Sequence, residues 1–151
     1  MTDVGHGHPN PDYEAGFYAG VPTKRLIAWL ADSVLIGLLT LLAIPFTAFL
    51  GLFFLPLLWL AVGLAYRVIT LTSGSATLGM RFVAIEFRNV EGNRFTLGDA
   101  VMHTAIYTVC FAFFLLQIVS IVLMLMGSKG QSLGDHAIGS VAINRPAKRY
   151  R

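Results

Sequence analysis

Asp32 is the only charged side chain in the forty-one residues from Leu26 to Tyr66 of this 151-residue chain. A carboxylate near the centre of a membrane helix costs up to about 2.5 to 3.5 kcal/mol on insertion scales, so it needs a partner or a wet cavity. Arg25 is the natural candidate. Seven residues of α-helix turn through about 700 degrees, close to two full turns, and place both side chains on one face. The axial rise of about 10.5 Å leaves a gap to be closed by an extended guanidinium, a water or a third group. Such a pair serves either as a buried ion pair that fixes helix packing or as a proton or cation site, because intramembrane ionisable residues often mark such pathways.

Two further groupings have the residue types for proton chemistry. Asp99 and His103 are four apart and share a helix face. An Asp there is also an ordinary first-turn residue stabilised by the helix dipole, while His103 could titrate near neutral pH and relay a proton to Asp99 or Asp32. Gly134-Asp135-His136 lies in a Gly-containing stretch. Adjacent helical residues face different ways, so Asp135 is expected to reach another segment rather than pair with His136. His6 and His8 make at most an adventitious metal site. The sequence has no phosphate loop, Cys/His zinc spacing, HExxH or nucleophile elbow. No catalytic residue, metal or cofactor is therefore expected, and the protein is not expected to be an enzyme.

The elements that must position these residues follow from where charge is excluded. Hydrophobic residues make up 56% of the chain and charged residues 13%, against roughly half and a quarter in soluble domains. From Ala100 to Ser128 there is no charged residue at all, His103, Tyr107 and Cys110 being the only titratable groups. These lengths belong in lipid. The net charge of +3 comes from cations flanking the apolar blocks, a topogenic pattern rather than a nucleic-acid face. The lone Cys110 can form no intrachain disulfide. Lys24-Arg25 and the run that follows imitate a signal peptide, but the acidic residues upstream, the length of the run and Asp32 argue for a retained span.

The expected fold is an all-α integral membrane protein with three apolar segments. A first span from about 26 to 44, ended by Pro45, and a second from about 51 to 66, bent by Pro56, form an antiparallel hairpin. This hairpin puts Lys24, Arg25 and Arg67 on one side, which the positive-inside bias makes cytoplasmic. Residues 1–20 read as a disordered or surface tail, 21–144 as the transmembrane domain and 145–151 as a basic tail. Residues 70–79 read as loop, and residues 81–96 as a small cytoplasmic β-hairpin turning at Glu91-Gly92-Asn93. Ser140 to Asn144 is a further β-like run that could add a third strand. The third apolar segment, about 100–127, is too short for two crossings. It either crosses once, carrying five cations outward, or turns back near Gln117 to Ser120 and keeps the tail inside.

Three ordered stretches carry a family resemblance. Tyr18-Ala19-Gly20 with Lys24-Arg25-Leu26 through Asp32, then Thr77-Leu78-Gly79-Met80-Arg81 with Val83-Ala84-Ile85, then Gln131 through Val141, together resemble the RDD family of membrane proteins, named for one arginine and two aspartates. The resemblance spans about residues 18–144. It implies that Arg25, Asp32 and Asp135 are the family's three residues and form one polar cluster. His103, His136 and Ser140 depart from the family pattern. The family's suggested role is transport. The resulting expectation is a multi-pass protein of the bacterial inner membrane, its N-terminus cytoplasmic, supporting ion or small-solute movement. The alternative is a non-catalytic accessory or assembly subunit of a larger membrane complex. Its expected partners are the lipid bilayer and either further copies of itself or another membrane protein, with no nucleic acid.

Overall fold

The computed structural model describes residues 7–146. Helix α1 runs from Val21 to Phe46 and α2 from Leu55 to Gly74, joined by a 3-10 turn at Leu50–Leu52. Both are long and apolar enough to cross a membrane. Each is longer than the charge-free run suggests. Pro45 does not end α1, which continues to Phe46. Pro56 does not bend α2, because it occupies the first turn, where a missing N–H costs nothing. Large apolar side chains such as Val34, Leu38, Leu42, Leu57 and Leu60 are exposed along both helices, and this is the surface that lipid covers.

Helix α2 overruns the expected loop, and a short helix, α3 (Leu78–Phe82), follows it with Thr77 as its N-cap. Strand β1 (Ile85–Arg88) comes next, but the expected hairpin with residues 94–96 does not form. Asn89 and Asn93 close a turn, with the Asn89 N–H donating to the Asn93 carbonyl. The Phe95 N–H then donates to Ser75 Oγ, and Thr96 becomes the cap of α4 (Leu97–Ala112). The Phe95 N–H and both Thr96 backbone groups are therefore engaged elsewhere and do not pair with β1. The partner of β1 is β2 (Val141–Asn144), antiparallel, with Ile85 opposite Asn144 and Arg88 opposite Val141. Glu86 is buried on this ribbon and paired with Arg88 and Arg145.

After α4 the chain breaks at Phe113 and turns through 118° into α5 (Phe114–Met126). The break comes earlier than Gln117 to Ser120. Phe113 keeps both of its backbone bonds, its N–H donating to Val109 and its carbonyl accepting from Gln117, as a turn shielded from water requires. Helix α6 (Leu133–Ile138) then leads into β2. Because β2 pairs with β1, the end of α5 lies at the same end of the molecule as the start of α4. The third segment therefore turns back on itself.

The buried core sits at this end, under the ribbon. It comprises Val21, Ala28, Leu71, Ala76, Met80, Ile85, Phe87, Phe95, Ala100 and Ala142. The part of the N-terminal tail that is described lies against this end of the molecule. Tyr18 is buried and donates to the Pro9 carbonyl, and Asn144 Nδ2 donates to the carbonyls of Gly16 and Ala19. His6 and residues 147–151 of the basic tail lie outside the described residues. His8 reaches the Asn89 carbonyl at 2.5 Å.

Candidate functional site

The two aspartates singled out in the sequence are both buried, and they lie in two separate hydrogen-bonded clusters rather than one. Asp135 is completely buried at the third helical position of α6. Ser132 caps that helix reciprocally. Its hydroxyl accepts from the Asp135 N–H, and its own N–H donates to Asp135 Oδ2 at 2.9 Å. Arg25, in the second turn of α1, donates from Nη1 to the same oxygen at 2.5 Å and to the Gly130 carbonyl at 3.3 Å. The second carboxylate oxygen accepts from Ser140 Oγ and meets His103 Nε2, both at 3.0 Å. Facing a carboxylate, that imidazole nitrogen must carry the proton.

Aromatic rings wall this cluster. The Arg25 guanidinium lies 5.2 Å from the Phe87 ring centre, and the His103 ring is 4.5 Å from Phe87 and 5.7 Å from Phe95. Burial alone would raise the Asp135 carboxyl, but the Arg25 guanidinium and His103 hold it well below the usual carboxylate range. It is an ionised anchor tying the start of α1 to α4, α6 and the approach to β2. His136, next in sequence, is exposed and turns to the Ser132 carbonyl, facing away from the cluster as adjacency predicts.

Asp32 is 2% exposed, and its bonds run to α2 and α3, not to Arg25. Tyr66 donates its hydroxyl to Oδ1 at 2.5 Å, the Gly79 N–H donates to the same oxygen at 2.8 Å, and Thr77 Oγ1 donates to Oδ2 at 2.6 Å. Tyr66 in turn accepts from the Leu78 N–H at 3.1 Å. The first turn of α3 thus docks on a carboxylate presented by α1, where free N–H groups and the helix dipole favour negative charge. Gly79 is required by the approach itself. A Cβ there would stand 2.3 Å from the Ala28 carbonyl oxygen and 2.8 Å from Asp32 Oδ1. Beside Tyr66, an apolar groove of about 340 Å³ is lined by Leu39, Val62, Ala65, Ile69 and Thr70.

Asp99 and His103 do not pair. Asp99 closes the capping box of α4, accepting from Thr96 N at 2.9 Å, while His103 faces inward to Asp135. The expected single cluster of Arg25, Asp32 and Asp135 is corrected likewise. Arg25 and Asp135 meet, and Asp32 has its own donors. The repeat of Ser/Thr-x-x-Asp at Thr96 and Ser132 signals both capping boxes in sequence. Tyr66 and Thr77 carry no local signal, since their roles at Asp32 depend on contacts across 34 and 45 residues, and Ser140, five residues after Asp135, lies outside the capping-box spacing. Ser132→Ala removes a cap and a donor to a buried charge together, so we expect a loss of about 2 kcal/mol. The exposed cap Thr96→Ala should lose about 1 kcal/mol. Denaturant titration of the two variants checks the order.

A helical protein with apolar candidate membrane spans, a small two-stranded ribbon and one arginine with two buried aspartates defines a class of membrane protein. The RDD family model matches residues 19–139, most of the chain, and the protein belongs to that family. No curated protein and no solved structure matches the chain.

Proposed function

We propose that this is a non-enzymatic, multi-pass protein of the bacterial inner membrane that supports ion or small-solute movement through Asp32, with the Arg25–Asp135 cluster as its fixed clamp. The contrast between the two buried carboxylates carries this reading. Asp135 is offset by Arg25 and His103. Asp32 receives only neutral donors, and among the described residues no cation pairs with it. A buried charge without a fixed counterion is balanced by a proton or a mobile cation. Tyr66, which bonds Asp32 and borders the apolar groove, stands between that carboxylate and the outside. The cation-bearing ends, with the N-terminus and the ribbon, face the cytoplasm by the positive-inside bias. Three apolar segments enclose little space alone, so the working form is an oligomer of this chain.

Protein reconstituted in vesicles under an imposed pH gradient should show proton or cation flux above empty vesicles. Asp32→Asn, which keeps the shape and removes the charge, should fall to the empty-vesicle level while remaining folded. A silent wild type, or Asp32→Asn as active as wild type, would overturn the reading. The exposed Phe46, Phe49, Phe53 and Phe54 in the α1–α2 connection favour a second reading, an accessory subunit that docks this apolar tip on a larger membrane complex. A stoichiometric partner retained in mild detergent, together with absent flux, would support it.

A further inference from the structure

Arg67, on α2, stacks on Tyr107 of α4 with its guanidinium carbon 4.0 Å from the ring centre, and its Nη2 donates to the Tyr107 hydroxyl at 3.2 Å. Trp29 of α1 donates its indole N–H to the same hydroxyl at 2.8 Å. The Tyr107 oxygen therefore accepts twice, and its own proton has no acceptor among the described residues. Nor does Arg67 pair with any carboxylate there. Of its five N–H donors, one is used among the described residues. Three helices thus converge donors on one spot that supplies no acceptor beyond a saturated hydroxyl. Such a set is complementary to an anion, and a planar guanidinium matches phosphate oxygens in particular.

Position identifies the source of the anion. Arg67 lies seven residues before the end of α2, Trp29 eight residues into α1 and Tyr107 ten residues into α4. These offsets place all three about 10 to 15 Å inward from the ribbon end of the molecule. Leu26, Leu30 and Ile69 on the same stretches of α1 and α2 are 58%, 52% and 65% exposed, so the surroundings are apolar. A half-buried arginine at this level extends toward the interface, where lipid phosphates lie, and Trp and Tyr favour the same zone. We propose that Arg67 and Tyr107, with Trp29 orienting the Tyr107 hydroxyl, bind the phosphate of an anionic phospholipid in the leaflet on the ribbon side. The guanidinium takes the phosphate oxygens and Tyr107 donates its free proton, while the acyl chains lie along the exposed faces of α1 and α2.

The chain has two tryptophans, so Trp59→Phe leaves Trp29 as the only indole reporter. Its fluorescence should be quenched by brominated phosphatidylglycerol more than by brominated phosphatidylcholine, in vesicles of the two lipids mixed with their unbrominated forms. We expect a relative binding constant of about fivefold, as one juxtamembrane cation contributes. Arg67→Gln should bring the ratio to about one. Arg67→Lys should keep part of it, and Tyr107→Phe, which retains the ring and loses the proton, should lower it. A wild-type ratio of one, or an unchanged ratio in Arg67→Gln, would overturn the proposal. So would loss of the preference on adding inorganic phosphate but not chloride at equal ionic strength, which would make the site one for a soluble anion. Should Arg67→Gln fail to fold, unchanged ratios in Arg67→Lys and Tyr107→Phe would count against the proposal equally.

Discussion

Gly79→Ala should destabilise the protein by about 3 kcal/mol or more, at the upper end of the range for overpacking a well-packed site. The added methyl carbon would stand 2.3 Å from the Ala28 carbonyl oxygen, an atom fixed in the α1 backbone, and 2.9 Å from the Asp32 carboxylate carbon. A flexible side-chain tip could swing aside, but this backbone cannot. Relief requires moving α3 off α1, which breaks the Gly79 N–H bond to Asp32 and strains the Thr77 and Tyr66 bonds beside it. The buried carboxylate would then be short of donors, adding a desolvation cost to the steric one. Gly98→Ala is the opposite case. Gly98 is exposed in α4, and the nearest atom to its added Cβ is Thr96 Oγ1 at 3.7 Å. Helix propensity favours Ala over Gly there by up to about 1 kcal/mol. Unfolding titrations of the two variants in one detergent should therefore give shifts of opposite sign. Equal tolerance of both would mean that α3 does not dock on Asp32 in solution.

The contrast between Gly79 and Gly98 also shows what was legible in the sequence. The apolar blocks and the need of Asp32 for buried partners were accessible, while Arg25 and Asp135 were grouped, together with Asp32, only through the family resemblance. Exclusion of charge over long runs is a statement about solvent, and the order of three motifs is a statement about family. Partner choice was not accessible. Helical spacing put Arg25 and Asp32 on one face, but Asp32 lies two turns deeper, where Tyr66, Thr77 and the Gly79 N–H are nearer. Helix α3 itself was invisible, because Ser, Thr and Gly between 70 and 79 read as loop. In the structure they become the end of α2 and the cap of α3. Alternation at 81–88 found β1, and the run at 140–144 found β2, but β1 was assigned to a hairpin with 94–96 and β2 left as an added third strand. A four-residue strand carries no label for its partner, and residues 141–144 are brought to it by α4 and α5 turning back at Phe113. That turn has no glycine or proline to announce it. The pairing of His103 with Asp135 was lost for the same reason, since spacing four from Asp99 offered a local partner that the capping box had already taken.

Arg25→Ala should cost about 3 to 5 kcal/mol, the range for breaking a buried ion pair from one side. Asp135 has no solvent exposure, so removing the guanidinium leaves a carboxylate with only Ser132, Ser140 and His103 as donors. Asp135→Asn should cost less, because it removes the buried negative charge, and Arg25, about 13% exposed in its side chain, can reach water. The two variants should also differ in their response to pH. In the wild type the folded carboxyl lies below its ordinary value. Its contribution is therefore fully present above the unfolded value of about 3.9 and is lost only as pH falls through the lower folded value. In Arg25→Ala, burial acts without its main opponent and the folded carboxyl moves upward. Protonation then relieves the variant, and its deficit relative to wild type should narrow as pH is lowered from neutral toward about 4. In Asp135→Asn this carboxyl is gone, so the deficit of this variant relative to wild type should stay flat from neutral to about pH 5 and shrink only at lower pH, where the wild type loses the Asp135 contribution. Thermal unfolding of the three proteins in one detergent across this pH range tests the clamp directly. A flat deficit in Arg25→Ala would show that Asp135 stays ionised in the folded variant throughout this range, and a negligible one would show that the buried pair does not hold α1 to α6.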